Sequence, residues 1–197
     1  MLKVGLTGSI GCGKSTASAF LKEMGAYIFD ADTEAKKLLT QNPIVQSELI
    51  AEFGTDIMGP GNTISKEKLA RIAFQDEDHQ MRLNLVVHPY IYDLIDGHFK
   101  KIQKKKNHSI FIVDGAMIFE SGYDQHLDYV IVITAMLKNR MERSTSRGTL
   151  TREQILQRME FQWSEEIKTG LADFVIHNDG TEEDLKREIA YVFQKIA

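Results

Sequence analysis

Gly8, Gly13, Lys14 and Ser15 stand in the spacing G-x-x-x-x-G-K-[ST], behind the apolar run "LKVGLT" and ahead of the helical pattern "STASAFLKEM". No other stretch restricts the fold so tightly, because this motif belongs in a strand-loop-helix context. Its glycines let the backbone reach φ > 0 and turn N–H groups inward, a concave nest for phosphate oxygens at a helix N-terminus. Lys14 then reaches the β- and γ-phosphates, and the Ser15 hydroxyl sits on Mg²⁺. The expected ligand is a nucleoside triphosphate, and what receives its phosphate has to be read from the rest of the chain.

A chain of 197 residues suits one α/β core with an insertion better than two domains. Its 43% hydrophobic and 26% charged residues are those of an ordinary globular protein, and its three prolines leave no linker or low-complexity tract. A net charge of −4 argues against a nucleic-acid-binding protein. There is no signal peptide and no run of about 18 apolar residues, so no membrane partner and a cytoplasmic location are expected. The single cysteine, Cys12, cannot form an internal disulfide, in keeping with a reducing compartment. It is read as a small residue filling a tight turn. The six histidines are scattered without metal-site spacing.

Strand-like runs fall at 3–7, 27–30, 109–114, 129–133 and 174–177, separated by helical patterns. That alternation predicts an α/β fold with a mostly five-stranded parallel sheet covered on both faces. Residues 32–106 contain no convincing strand and read as a helical insertion. Within it "NP" at 42–43 starts a helix, "GPGN" at 59–62 breaks one, and Pro89 interrupts a long one. A second helical excursion covers 136–170, where Thr151 and Gln154 make a capping box. The core is then 1–31, 107–135 and 171–197, closed by a helix that starts at Thr181 with Asp184 three residues on.

In an open parallel sheet ligands bind at the carboxyl ends of the strands. There "FDAD" offers Asp30 and Asp32, read as two residues apart in an extended segment and so able to share a face. One of them could orient an acceptor hydroxyl and take its proton during phosphoryl transfer. Asp32 reads equally as the N-cap of the following helix, with an i,i+4 pair to Lys36. Asp114 closes the third strand either as a Walker-B aspartate holding Mg²⁺ through water or as part of an Asp-Gly turn. Glu120 is either a ligand contact or a surface residue. Arg140, Arg143, Arg147 and Arg152 form a cluster expected to close as a lid over the transferring phosphate, Arg143 and Arg147 foremost. Trp163 and Phe161 are expected to anchor this excursion on the core. The run "KKIQKKK" reads as the solvated end of a helix.

Together these motifs resemble the dephospho-coenzyme A kinases: "GLTGSIGCGKST", "DAD" at 30–32, "FG" at 53–54, "LNLVVHP" at 83–89, "IFES" at 118–121, "TSRGTLTREQ" at 145–154 and "ADFVIHNDG" at 172–180. The resemblance implies a three-layer P-loop kinase fold with a helical acceptor-binding insertion and a helical lid. It also implies transfer of the ATP γ-phosphate to the ribose 3′-hydroxyl of dephospho-coenzyme A, the last step of coenzyme A synthesis, with ATP and Mg²⁺ as cofactors. By that resemblance Asp32 is the base candidate, and Lys14 and Arg147 are charge stabilisers. Gly8, Gly11, Cys12, Gly13, Lys14, Ser15 and Thr16 belong to the ATP loop, and Asn178 and Gly180 lie near the adenine. Lys36, His88 and Pro89 fall on the acceptor side. Lys36 and Lys66 stand where the family usually has arginine, and Ala116 where it has proline, which bears on acceptor contacts. The expected assembly is a monomer or weak homo-oligomer. The alternatives are another small-metabolite or nucleoside monophosphate kinase, and a GTP switch, whose usual N-K-x-D guanine motif does not occur.

Overall fold

The computed structural model describes residues 1–197 except for Asn62, which closes the break expected at 59–62 and so lies outside the described residues. The chain divides into two compact units, 1–30 with 98–197, and 31–97. In the first, strands β1 (Leu2–Thr7), β2 (Tyr27–Asp30), β3 (Ile110–Asp114), β4 (Tyr129–Thr134) and β5 (Phe174–His177) pair in the order β2-β3-β1-β4-β5. Every pairing is parallel. The strands lie within a residue of the expected runs because apolar runs buried on both faces carry a strong signal.

Side-chain alternation along the strands assigns the two faces. Val4, Leu6, Ile110, Ile112, Ile131, Ile133 and Ile176 point to one face, all at 0% exposure. There they meet Ala17, Phe20 and Leu21 of α1 (Lys14–Glu23) and Leu185, Ile189, Val192 and Ile196 of α9 (Glu182–Ile196). Burying each such aliphatic side chain contributes about 1.5–3 kcal/mol, so the loop between β1 and α1 stands on a rigid base. On the opposite face Ile118, Phe119, Val130 and Val132 form a second cluster. Phe111 lies there with its ring 5.5 Å from that of Phe99, in the last turns of α5 (Glu77–Lys105). Helices α6 (Leu137–Ser146), α7 (Arg152–Glu160) and α8 (Glu165–Leu171) fill the second excursion. Both capping boxes, Thr151 with Gln154 and Thr181 with Asp184, are formed.

The second unit is helical: α2 (Ala31–Gln41), α3 (Pro43–Phe53), α4 (Lys66–Ala73) and the N-terminal part of α5. Asn42 caps α3 as expected, accepting from the Ile44 and Val45 N–H groups at 3.0 and 3.2 Å. Gly61, in the expected break, takes φ 74°. The only extended pairing among the described residues of this unit is one antiparallel bridge between Met58 and Ile64. Pro89 does not interrupt its helix: α5 runs through it for 29 residues. The proline removes the bond to the Leu85 carbonyl, but Leu85 is 68% exposed and water can take its place. The basic run 100–106 ends the helix in solvent as expected, with only Ile102 buried.

Candidate active site

β1 is the central strand, with neighbours reached on both sides, so the crevice at its carboxyl end is where a ligand enters this topology. The loop from Gly8 to Gly13 sits there. Gly11 and Gly13 take φ 80° and 98°, and both are crowded. A Cβ on Gly11 would lie 2.3 Å from the Arg140 carbonyl oxygen; one on Gly13 would lie 2.1 Å from Asn178 Nδ2. Only glycine suits positions that combine a left-handed backbone with such close neighbours. The amide of Asn178 donates to the Cys12 carbonyl at 2.8 Å, and the side-chain oxygen of Gln162 accepts the Ile10 N–H at 3.2 Å. Helix α1 begins at Lys14, so its earliest N–H groups point toward the loop's concavity. Asn178, placed near the adenine by resemblance, thus touches the loop backbone; Gly180 lies beside Asp184, the N3 residue of the α9 cap.

Cys12 is 1% exposed, and burial pushes its thiol up to about 11 against the smaller opposing effect of Lys14. At pH 8 the folded protein should therefore leave its thiol unmodified by an aromatic disulfide reagent over minutes, with one equivalent reacting on denaturation. Rapid reaction of the folded protein would contradict this burial.

Acidic groups gather at the same strand ends. Asp30 and Asp114 are partners in the register of β2 and β3. Asp114 is 7% exposed and its carboxylate forms an ion pair with Lys14. Of its two readings, the Asp-Gly turn does not describe it, because Asp114 is the last residue of β3 and is bonded to the loop lysine. Asp32 is not the N-cap of α2. The helix already begins at Ala31, so Asp32 lies in its first turn, and Asp30 and Asp32 do not share an extended segment. A carboxylate there is favoured by the helix dipole.

On α6, Arg140 and Ser144 abut Gly11, and Arg147 follows at i+7 on the same face. Arg140 pairs with Glu165 at 3.5 Å. Arg143 is half-buried, and its Nη1 is buried without a hydrogen-bond partner, a donor that an anion would satisfy. Arg147 and Arg152 are exposed. Trp163 does not anchor the excursion: it is 42% exposed, because the contact is made by its backbone N–H, which donates to Glu120 Oε1 at 2.9 Å. Phe161 is half-buried.

Glu120 is not a surface residue, the second of its two readings. Its side chain is 6% exposed and pairs at 2.7 Å with Lys168, which is 0% exposed. Lys168 also donates to the Ala116 carbonyl at 2.8 Å, an oxygen that accepts the Thr7 hydroxyl as well. Neither Lys168 nor Gln162 was expected from sequence.

In the helical unit, Lys36 is exposed one turn after Asp32. His88 is half-buried, its ring stacked on Tyr92 at 5.9 Å, and Pro89 beside it is exposed. Burial lowers the His88 pKa below its ordinary 6.5. The native state therefore binds the proton less readily than the unfolded chain, and stability present above pH 6.5 is lost as pH falls below it. The urea midpoint should drop more between pH 7.5 and 5.5 for the natural protein than for His88→Gln. Parallel profiles would contradict it.

A family model described as dephospho-CoA kinase matches residues 2–184. The dephospho-CoA kinase of Salinibacter ruber is 35% identical over 193 residues, 98% of this chain and 96% of that protein. A crystal structure from Thermus thermophilus superposes with TM-score 0.81 at 29% identity, covering 100% of this chain and 98% of that one. The dephospho-CoA kinase from Campylobacter jejuni does so with TM-score 0.70 at 28% identity, covering 98% and 96%.

Proposed function

The chain belongs to the dephospho-CoA kinase family, and from that premise we propose that it transfers the ATP γ-phosphate to the ribose 3′-hydroxyl of dephospho-coenzyme A. The observation that carries this reading is the glycine loop at the end of the central strand, with Lys14 paired to Asp114, inside a family match over 2–184. The loop from Gly8 to Thr16, through those of its N–H groups not bonded within the protein, and Lys14 hold the phosphates, while Asn178 and Gly180 border the nucleotide. Asp32 aligns the acceptor hydroxyl and accepts its proton as the new P–O bond forms. Arg143 and Arg147, on a lid spanning 136–170, close over the γ-phosphate and offset its charge. The unpartnered Arg143 Nη1 supports that role. Lys36, His88 and Pro89 belong to the acceptor-binding insertion.

The exposed Ser15 hydroxyl and the Asp114 carboxylate are hard oxygen donors and fit Mg²⁺. When bound, the ion would offset charge on the β- and γ-phosphate oxygens. Among the described residues no helix is long and apolar enough to cross a membrane, and the small-molecule substrates favour the cytoplasm.

The test is an ADP-release assay with Mg-ATP and dephospho-coenzyme A, adenosine, AMP or shikimate as acceptor. Turnover with dephospho-coenzyme A alone is expected. Preference for another acceptor would overturn the substrate assignment and turn attention to Lys36, Lys66 and Ala116.

A further inference from the structure

The turn between α7 and α8, together with α8 itself, reaches the core at three polar points within seven residues. Gln162 Oε1 accepts the Ile10 N–H at 3.2 Å. The Trp163 N–H donates to Glu120 Oε1 at 2.9 Å, and Lys168 Nζ meets the same oxygen at 2.7 Å. Lys168 also donates to the Ala116 carbonyl, where the Thr7 hydroxyl arrives from the residue before the loop. A cation at 0% exposure and a carboxylate at 6% are held in one arrangement by the need to stay paired, since separating them would leave a buried charge alone. The position of Gln162 next to Trp163 is thereby fixed by something other than Gln162 itself.

We propose that Gln162 is a positioning residue for phosphoryl transfer. Held by the Glu120–Lys168 anchor, its side-chain oxygen takes the Ile10 N–H and fixes the Ser9–Ile10 peptide at the mouth of the phosphate loop. The N–H groups that follow then face the concavity. A nest depends on the orientation of successive peptides, and one peptide rotated outward spoils the set. The Ser9–Ile10 peptide is held at both ends, its carbonyl from within the loop and its N–H by Gln162 alone. The Cys12 N–H turns back to the Ser9 carbonyl, and the Thr16 and Ala17 N–H groups both turn back to Gly13, while the Ile10 N–H goes to the α7–α8 turn. The same turn lies within the segment 136–170, just after its last arginine, Arg158, so loop and lid base share one anchor. The inference rests on the phosphate loop's being the ATP site.

Two substitutions test it in the full-length protein. Gln162→Met keeps the length and removes the acceptor; Gln162→Glu keeps an acceptor oxygen. Amide exchange at Ile10, measured by NMR without nucleotide, should speed by about tenfold in the Met variant and stay near natural in the Glu variant, as loss or retention of one hydrogen bond requires. KM for ATP should rise about five- to tenfold in the Met variant, with KM for dephospho-coenzyme A within about twofold and the melting temperature unchanged. Unchanged Ile10 exchange in the Met variant, or an equal rise in both KM values, overturns the proposal. If the natural protein fails to bind Mg-ATP, the ATP reading falls, and the exchange comparison still decides the Gln162 contact.

Discussion

Asp32→Asn should lower kcat by about 10²–10⁴-fold, the range for losing a positioned general base, while KM for ATP stays within about twofold. Asparagine keeps the size and one oxygen but cannot take a proton from the acceptor hydroxyl. The place of Asp32 in the chain supports the assignment. Asp32 lies in the first turn of α2, two residues beyond Asp30, whose strand partner Asp114 is bonded to the loop lysine. On the proposed reading the nucleotide is held by a different segment, Gly8 to Thr16, so ATP binding has no reason to follow the loss of turnover. Steady-state kinetics with calorimetry of ATP binding separate the two. If ATP affinity falls in proportion to kcat, Asp32 is a binding residue and the base role passes elsewhere.

Lys14→Met should remove more than a phosphate contact. Turnover is expected to fall by about 10²-fold or more with the loss of charge stabilisation at the γ-phosphate. Stability should fall as well, because the Lys14 and Asp114 side chains are 18% and 10% exposed and the carboxylate would lose its cation in a largely dry place. A cost on the order of 2 kcal/mol is reasonable, below the ~3–5 kcal/mol of a fully buried pair. For a chain of this length that is a fall of about 4–8 °C in melting temperature. Adding Asp114→Asn should restore most of that stability and none of the activity. A double variant as unstable as the single one would show that the ion pair is not what Lys14 contributes to the fold.

The legible parts of the chain were those with a local physical cause. Apolar runs buried on two faces marked all five strands, and Asn42, Thr151 and Thr181 marked helix starts through their own backbone bonds. The phosphate loop was legible because its chemistry is confined to eight consecutive residues. What escaped was long-range or contrary to pattern. In α8, Ile167 and Leu171 are 49% and 55% exposed while Lys168 is buried, the reverse of an amphipathic helix, and "EEIK" reads as an ordinary solvated turn. Its partner Glu120 lies 48 residues earlier by sequence number, and no spacing rule joins them. Pro89 misled because proline in a helix is costly only when the freed carbonyl stays dry, and Leu85 is open to water. Trp163 misled in the opposite sense, since its large ring stays outside and its backbone makes the contact.

The central claim is that one phosphoryl group moves from ATP to a single hydroxyl of dephospho-coenzyme A. The measurement that tests it most directly is phosphorus-proton correlation NMR on the purified product, with its mass. The account predicts one added phosphoryl group whose phosphorus couples to ribose H3′. Coupling to H2′, or ADP formed with no phosphorylated acceptor, would contradict it.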